Sequence, residues 1–461
     1  MGNDAFPRLV EQVGSRRLNR RRFAQGAAGL AAAAAVGAPR VIVPAAAQDA
    51  KKVTFWTTFT DPDLAILKNM VQTFNGQTKD FQVELVQIPP AQVTDVSKLM
   101  TAVRGGTGPD VYHLDRFIVA QRAADGLLQD LSEYAGGGDP LEGYLPFSAA
   151  EASFDGKPFA LPFDTDARAL YYNKTMLQAG GVDPAELDAA KGPVTWDRIK
   201  EIATKFNKKN AQGNYTQMGF IPWVNQGWHY TYGFSWGGEF FDEAKCEVTP
   251  DNPNVVAAFQ WVYDYCKELG ADKVSAFGTP TMQPGFPPQQ HPFIVGTLAM
   301  QITGDWMINQ IKTYAPKLDY GITYIGVPKA GDKPSTWAGG WSMAMPQGAK
   351  QPKEAFTFMQ WMSGEEGQRI YAKESSHLPT FESLLKDPSL FEERHKFFSD
   401  KLLPIAKNRP PLPVGAKYWD ELTNAWQATY LNQQTPAEAL KSVKERVQPQ
   451  LQRFCPVKIQ S

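Results

Sequence analysis

Residues 154–174 read FDGKPFALPFDTDARALYYNK, and this stretch decides how the chain is organised. Pro158 and Pro162 exclude a helix through its first half, because proline lacks the amide hydrogen that a helix interior needs. The short apolar and aromatic run 167–172 favours a strand. The polar cluster Asp164-Thr165-Asp166 comes immediately before that strand. We therefore predict that the strand carries the chain from one lobe to another, with a ligand held between the lobes.

The hydrophobic pattern between residues 52 and 115 alternates between the periods of strands and helices. It predicts a strand at 52–59, a helix from Asp61, a strand at 81–88, a helix at 93–103 and a strand ending at Asp115. Strands separated by helices at this spacing form crossover units and a largely parallel sheet. Ligands bind beyond the carboxyl ends of such strands, where Trp56 and Asp115 lie.

The chain has 461 residues, too many for one ordinary hydrophobic core, so two or more domains are expected. Its 43% hydrophobic and 21% charged content is typical of a soluble globular protein. No basic cluster after residue 47 resembles a nucleic-acid-binding surface, so no nucleic acid is expected as a partner.

Residues 1–47 resemble an export signal of the twin-arginine type. Arg-Arg-Arg-Phe at 20–23 precedes a small, mildly apolar run, and three alanines before Gln48 offer a cleavage site. The alternative is a transmembrane anchor, which Pro39 and Arg40 oppose because they interrupt the apolar run. We expect the signal peptide to be cleaved and the mature chain to reside in the periplasm.

The three cysteines, Cys246, Cys266 and Cys455, are too few for a disulfide scaffold. Export would permit one disulfide, for which Cys246 and Cys266 are the simplest pair. The alternative is three unpaired thiols, because Cys266 lies well inside a predicted helix. The five histidines are not spaced as metal ligands, so neither a metal nor a cofactor is expected.

A series of short motifs runs along nearly the whole mature chain: Gly105–Asp110, Asp155–Pro162, Leu170–Lys174, Pro193–Asp197, Gly296–Met300, Gly304–Trp306 and Gly339–Trp341. Each motif is weak by itself, but their order and spacing together are specific. They resemble the extracellular solute-binding proteins of ABC importers, in the sugar-binding branch typified by maltose-binding protein.

This resemblance implies an α/β fold of type II periplasmic-binding proteins, with two lobes that close over a ligand cleft. Each lobe would hold a mainly parallel sheet flanked by helices. The resemblance also implies a monomer without catalytic activity, which passes a small solute, expected to be a carbohydrate, to the transmembrane subunits of an ABC permease. Lobe 1 would comprise 48–166 and 326–373, and lobe 2 would comprise 167–319 and 374–461, with crossings near 165–169 and 320–325.

A sugar site needs aromatic faces for the apolar side of the ring, and charged or amide groups for its hydroxyls. Each candidate also has a purely structural interpretation: the tryptophans can be core residues, Asp115 can cap a helix, and Asp164 can bind local backbone. Residue type, position and the resemblance together give these candidate ligand-binding residues: Trp56, Asp115, Asp164, Trp223, Trp228, Trp236, Asp305, Trp306, Gly340, Trp341, His377 and Arg409.

Two alternatives remain open. The same fold could bind a polyamine or a glycerophosphodiester, and the excess of acidic over basic candidates mildly favours a polyhydroxylated or cationic solute. A periplasmic glycosidase would instead use a carboxyl pair such as Asp164 and Asp305.

Overall fold

The computed structural model describes residues 51–89, 94–282 and 286–459. The predicted leader at 1–47 and the predicted helix start at Val93 lie outside the described residues. Within those ranges, no helix combines the length and the apolar character needed to cross a membrane.

The first sheet has five strands and contains the predicted crossover units. Lys51–Thr57 lies between Phe81–Gln87 and Val111–Asp115 and is parallel to both. Trp341–Ala344 extends the sheet antiparallel to Val111–Asp115, and Ala160–Pro162 pairs antiparallel with Trp341–Ala344. The carboxyl end of Val111–Asp115 and the amino end of Trp341–Ala344 therefore meet at one edge, with Asp115 opposite Trp341.

The helix Asp63–Gln77 covers this sheet with the apolar stripe that the sequence predicts. Its buried residues include Leu64, Leu67, Val71 and Phe74, which recur at nearly 3.6 residues per turn. Burial of that stripe against the sheet, more than local propensity, holds the helix in place.

The second sheet has three strands, with Arg168–Asn173 between Met300–Gly304 and Tyr320–Thr323. Both neighbours run antiparallel to the central strand. The prediction of a mainly parallel sheet is therefore wrong for the second lobe, and the first sheet is mixed, with two parallel and two antiparallel pairings. The spacing of strands and helices at 52–115 indicates parallel order only for the strands of that region. A long segment separates Asn173 from Met300, and its length leaves the strand direction unconstrained.

Residues 154–174 run from the first sheet into the second. Ala160–Pro162 is an edge strand of the first sheet, and the predicted strand at 167–172 is present as Arg168–Asn173. Asn173 then caps the helix Lys174–Ala179, because its side chain accepts a hydrogen bond from the backbone N–H of Met176 at 2.9 Å.

The return to the first sheet lies later in the chain than predicted. Tyr320–Thr323 belongs to the second sheet, and Val327 still pairs with Thr195. The chain reaches the first sheet only at Trp341–Ala344, so the predicted crossing at 320–325 is instead a strand of the second sheet. The apolar pattern identified a buried strand there, but it carried no information about which sheet the strand joins.

The remaining elements surround the two sheets. The α-helices are Asp63–Gln77, Ser97–Arg104, Val119–Ala124, Pro146–Glu151, Lys174–Ala179, Trp196–Thr204, His229–Ser235, Pro253–Leu269, Ala271–Gly278, Met307–Tyr314, Pro352–Ser363, Glu365–Ser375, Glu382–Leu385, Glu393–Lys396, Gly415–Tyr430 and Pro436–Leu451. The short strand pairs are Ser153–Phe154 with Lys157–Pro158, Lys208–Lys209 with Tyr215–Gln217, Phe241–Asp242 with Glu247–Val248, and Thr336–Ala338 with Ala406–Asn408.

The disulfide joins Cys246 to Cys455, with their Cα atoms 6.0 Å apart, so the predicted pairing of Cys246 with Cys266 is wrong. Cys266 is buried in the helix Pro253–Leu269, and burial raises the pKa of its thiol. Sequence proximity favoured Cys266, but its side chain faces the core, whereas Cys455 follows the helix that returns to the Cys246 hairpin.

Candidate ligand-binding cleft

A cavity of about 280 Å³ lies where the two sheets face each other. Asp115 and Trp341 come from the first sheet, while Arg168 begins the central strand of the second. Among the residues that the structure describes, the lining consists of Phe59, Asp63, Asp115, Asp166, Arg168, Gln226, Trp228, Trp306, Gln310, Trp337, Gly340, Trp341, His377, Arg409 and Trp419.

Trp341 presents its ring from the first-sheet side. Its ring centroid lies 4.8 Å from that of Phe59 and 4.9 Å from that of His113. Burial lowers the pKa of His113 to about 3, so this imidazole is a neutral support. Trp341 is only partly buried, which leaves part of its ring free to pack against a ligand.

Trp306 presents its ring from the second-sheet side and stacks on His377, with ring centroids 5.4 Å apart and planes 18° apart. Gly304 makes this position possible, because a Cβ atom there would lie 2.0 Å from the Trp306 ring. Trp228 and Trp419 add a third aromatic surface, with centroids 5.4 Å apart. The cleft therefore offers aromatic faces from several directions.

Arg409 and Asp115 form an ion pair at the cleft. Nη2 of Arg409 donates to Oδ1 of Asp115 at 2.8 Å, and Nη1 lies 3.5 Å from Oδ2. The guanidinium also lies over the Phe117 ring, 3.9 Å from its centroid. Asp115 additionally accepts from the backbone N–H of Phe117 at 3.5 Å, so it combines its predicted cleft position with helix capping.

Arg168 and Asp166 form a second ion pair, through Nη1 and Oδ1. Nε of Arg168 donates to Oε1 of Gln226 at 3.2 Å, and the guanidinium stacks on Trp337 at 3.6 Å. Asp166 also accepts from the backbone N–H of Gly339 at 2.6 Å. Both charges are thus oriented by neutral neighbours as well as by each other.

Asp164 and Asp305 are fully buried and do not line the cavity. Oδ1 of Asp164 accepts from the backbone N–H of Trp341 at 2.6 Å, and Oδ1 of Asp305 accepts from that of Trp306 at 3.0 Å. Burial raises the pKa of both carboxyls well above the usual range, and for Asp305 the charges of Asp166 and Asp164 add to this. Both residues orient a cleft tryptophan through its backbone.

His377 lines the cleft, with Nδ1 3.2 Å from Oδ2 of Asp164. Burial lowers the pKa of its imidazole to about 4, and Arg168 opposes protonation as well. His377 is therefore neutral at physiological pH and can offer a ring nitrogen to a ligand.

Asp63 also lines the cleft, at the first position of the helix Asp63–Gln77. Burial raises the pKa of this carboxyl to about 7, and the nearby charge of Asp61 adds to the effect. The charge of the cleft therefore changes close to neutral pH.

The structure brings seven of the twelve sequence candidates to the cavity lining: Asp115, Trp228, Trp306, Gly340, Trp341, His377 and Arg409. The other three tryptophans lie elsewhere. Trp223 is fully buried and stacks on Tyr430 at 4.4 Å, Trp236 stacks on Trp196 at 5.8 Å, and Trp56 packs against the core from within its strand.

Sequence reasoning missed eight lining residues: Phe59, Asp63, Asp166, Arg168, Gln226, Gln310, Trp337 and Trp419. Asp166 and Arg168 could have been predicted from the sequence, because they lie inside the predicted crossing, where the cleft was expected. Trp337 could also have been predicted, because it precedes the Gly339-Gly340 pair of a recognised motif. Gln226 and Trp419 come from distant segments, and no sequence signal placed them.

The donor set of the cleft suits a neutral, hydroxylated ligand better than a metal. In the described part of the chain, no group of three or more His, Cys, Asp or Glu side chains has a geometry that could hold a metal ion. Aromatic rings alternate here with hydrogen-bonding groups that are already paired and oriented.

The model of a family described as bacterial extracellular solute-binding protein matches residues 69–398. The maltotriose-binding protein of Pyrococcus abyssi is 21% identical over 378 residues, which cover 81% of this chain and 76% of the relative. The sn-glycerol-3-phosphate-binding periplasmic protein of Escherichia coli is 22% identical over 445 residues, covering 88% and 94%.

The solved structure of CpMnBP1 with mannobiose bound superposes with a TM-score of 0.76 at 24% identity, covering 86% of this chain and all of the other. At this level of identity the likeness shows the fold. It confirms the two-lobed α/β class that the sequence motifs implied.

Proposed function

Because the chain belongs to the family of bacterial extracellular solute-binding proteins, we propose that it binds a sugar, polyol or glycoside and delivers it to the permease subunits of an ABC transporter. The observation that carries this proposal is the cleft itself, where aromatic faces alternate with two oriented arginine–aspartate pairs. No catalytic step is part of the proposal.

The chemistry of the cleft supports a polyhydroxylated solute. The rings of Trp306 and Trp341 can pack against the C–H face of a pyranose. Asp115 and Arg409 hold each other in place and can still accept from and donate to adjacent hydroxyls, because each has more hydrogen-bonding positions than the ion pair uses. Relatives named for maltotriose and galactooligosaccharide binding are consistent with this class.

The size of the cavity supports a small solute. Its volume of about 280 Å³ is slightly below that of typical ligand pockets, which are on the order of 300–1,000 Å³. We therefore propose a solute no larger than a disaccharide.

A glycerol phosphate or glycerophosphodiester is the second candidate. The cleft contains two guanidinium groups, and one relative is named for sn-glycerol-3-phosphate. Both guanidinium groups are already neutralised by carboxylates, however, which weakens this alternative relative to a neutral sugar. The same pairing leaves few free carboxylates for a polyamine, which also disfavours that solute.

A glycosidase is disfavoured by the position of the carboxyl groups proposed for it. Asp164 and Asp305 are fully buried behind the cleft wall and bind backbone N–H groups. A hydrolytic carboxyl pair must reach both sides of the scissile bond.

We further propose that residues 1–47 direct twin-arginine export, that the leader is cleaved before Gln48, and that the mature protein acts in the periplasm as a monomer. The first lobe would be built around the five-stranded sheet and the second around the three-stranded sheet, with a crossing near 165–169. The ligand would bind between the lobes and shift their population toward a closed form that docks on the permease.

A thermal-shift screen of the chain from Gln48 onward tests this proposal. The panel would contain mono- and disaccharides, longer oligosaccharides, polyols, glycosides, glycerol phosphates and polyamines. A solute present at about a thousand times its Kd should add roughly 4 kcal/mol to the free energy of unfolding. A shift with a mono- or disaccharide that is not consumed supports the proposal. A shift only with glycerol phosphates or polyamines replaces the solute class, and turnover of a glycoside overturns the binding function.

A further inference from the structure

Arg116 is a fully enclosed charged side chain at the junction of the two sheets, with no exposed surface. Its Nε donates to Oε2 of Glu151 at 2.8 Å. Its Nη1 donates to the backbone carbonyl of Asp164, and its Nη2 donates to that of Gly339, both at 2.6 Å. One planar guanidinium therefore contacts both chain segments that connect the sheets.

We call residues 163–167 the first passage and residues 338–341 the second passage, which ends on the first residue of the strand Trp341–Ala344. Arg116 follows directly after the strand Val111–Asp115 of the first sheet, and its own backbone N–H donates to the carbonyl of Gly340 at 3.0 Å. Arg116 thus ties each passage to the first sheet as well as to the other passage.

Gly340 gives Arg116 the space for this arrangement. Its φ of +136° lies in a region that favours glycine. A Cβ atom there would lie 2.3 Å from the carbonyl oxygen of Asp164 and 2.7 Å from Nη1 of Arg116. The glycine that the sequence motif supplied therefore accommodates the guanidinium and the first passage, in addition to lining the cleft.

Side chains of the first passage also bind the backbone of the second passage directly. Asp164 accepts from the backbone N–H of Trp341, and Asp166 accepts from that of Gly339, both at 2.6 Å. Thr165 donates its hydroxyl to the carbonyl of Gly339 at 3.0 Å. Together with the Arg116 bonds, these contacts join the two passages by hydrogen bonds that run in both directions.

We propose that Arg116 is a positioning residue that holds both passages as one unit with the first sheet, so that Trp341 and Asp115 are in place before a ligand arrives. This inference rests on the proposed function, because it assigns Arg116 a role in binding. Preorganisation of one wall lowers the conformational cost of binding, and only the second-sheet wall then has to move.

Hydrogen exchange without ligand gives the first test. In Arg116→Lys, a single ammonium keeps the charge beside Glu151 but cannot reach both carbonyls. The backbone N–H groups of Phe163, Gly339 and Trp341 should then exchange together, at least about tenfold faster, while those of Lys51–Thr57 stay unchanged. Acceleration throughout the first sheet would indicate a merely structural role, and acceleration in only one passage would overturn the proposal.

Arg122→Lys is the matched control. Arg122 is also buried, and its Nη2 donates to the carbonyl of Thr94 at 2.6 Å, but it touches neither passage. Exchange in the two passages should be unchanged in this variant. If Arg116→Lys does not fold, hydrogen exchange of the unmodified protein still tests whether the two passages open together. The three passage amides should then share one opening free energy across a urea series, and clearly different values overturn the proposal.

Binding is measured separately, with mannobiose and maltose as probes, because both are disaccharides and so fall within the proposed size. Arg116→Lys should bind whichever probe binds about tenfold more weakly, and Arg122→Lys should bind it as the unmodified protein does. Unchanged affinity in Arg116→Lys overturns the positioning role. If neither probe binds the unmodified protein, that result counts against the proposed sugar function, while the exchange experiment still tests the coupling of the passages.

Discussion

Two aromatic regions of this protein use the same residue type for opposite purposes. The buried aromatic cluster comprises the fully buried Trp196, Tyr232 and Trp426 and the partly buried Trp236 and Trp261, and it packs ring on ring, with Trp196 and Tyr232 4.7 Å apart. In the cleft, Trp228, Trp306 and Trp341 are all partly buried and lie beside charged groups. The density of aromatic residues therefore does not identify the site, but their polar surroundings do.

The indole nitrogens show the same contrast. Nε1 of Trp196 donates to the hydroxyl of Ser235, and Nε1 of Trp426 donates to the carbonyl of Gly227, both at 3.1 Å. Across residues 51–89, 94–282 and 286–459, no hydrogen bond is present from Nε1 of Trp228, Trp306 or Trp341 to another residue. Nε1 of Trp261 in the cluster also donates, to Asp197 at 2.9 Å, so Trp236 is the one cluster tryptophan without such a bond in the described ranges. Most indole donors of the cluster are thus used within the protein, whereas those three cleft donors are open to a ligand.

The largest expected effect is a loss of stability when the buried aromatic cluster is disrupted. Trp196→Ala should lower the free energy of unfolding by about 3–5 kcal/mol, because it removes a fully buried ring and leaves the Ser235 hydroxyl without its partner. Urea unfolding measures this loss. The folded fraction should bind the best solute from the screen with unchanged affinity, and a large loss of affinity would mean that the two regions are not separate.

Trp341→Ala should weaken ligand binding and leave stability nearly unchanged, the opposite pattern to that of Trp196→Ala. Affinity should fall by roughly 2–4 kcal/mol, the range of an interface hot spot, with little change in Tm. Trp236→Ala is the matched control, since Trp236 is also partly buried but lies outside the cleft. Isothermal titration of both variants checks the prediction. Equal affinities would remove Trp341 from the binding site.

The sequence predicted the cleft residues whose position follows from a strand end or a motif. Asp115, Trp306 and Trp341 each lie next to the end of a strand in one of the two sheets, and the periodicity of the apolar residues located those ends. Trp223 and Trp236 were misplaced because their stretch lacked such a reference point. Local composition could not show that this stretch packs on Trp196 and Tyr430 instead.

Contacts between segments far apart in the sequence were the other feature that the sequence could not predict. The antiparallel second sheet, the late return at Trp341 and the Cys246–Cys455 disulfide all depend on partners far away in the sequence. Hydrophobic patterns report burial within a segment, and they do not report which distant segment covers it.

Arg409→Lys tests whether the charged groups of the cleft, and not only its aromatic rings, contribute to binding. Lysine keeps the charge but loses the two-pronged contact with Asp115 and the stacking on Phe117. Affinity should fall about tenfold, a loss near 1.4 kcal/mol. The same substitution at Arg198, a surface residue paired with Glu186, should leave affinity unchanged. Equal effects at both positions would show that the Arg409 pair has no special role in binding.

The smallest expected effect concerns Asp63, and it shows whether a negative charge in the cleft lowers the stability of the protein. The folded-state pKa of Asp63 is raised from 3.8 to about 7, so the folded protein holds this proton more tightly than the unfolded chain does. Stability therefore falls as pH rises from about 4 to about 7 and stays reduced above that. Asp63→Asn removes this penalty. Its Tm should match that of the unmodified protein near about pH 4 and exceed it by about 1–3 °C near about pH 8. The other carboxyls with raised pKa values are present in both proteins, so the difference between the two Tm curves isolates Asp63; they are Glu151, Asp164, Asp305 and Asp420. A constant difference at all pH values would show that the pKa of Asp63 is not raised. The cleft would then carry no cost in stability at this position that distinguishes it from the aromatic cluster.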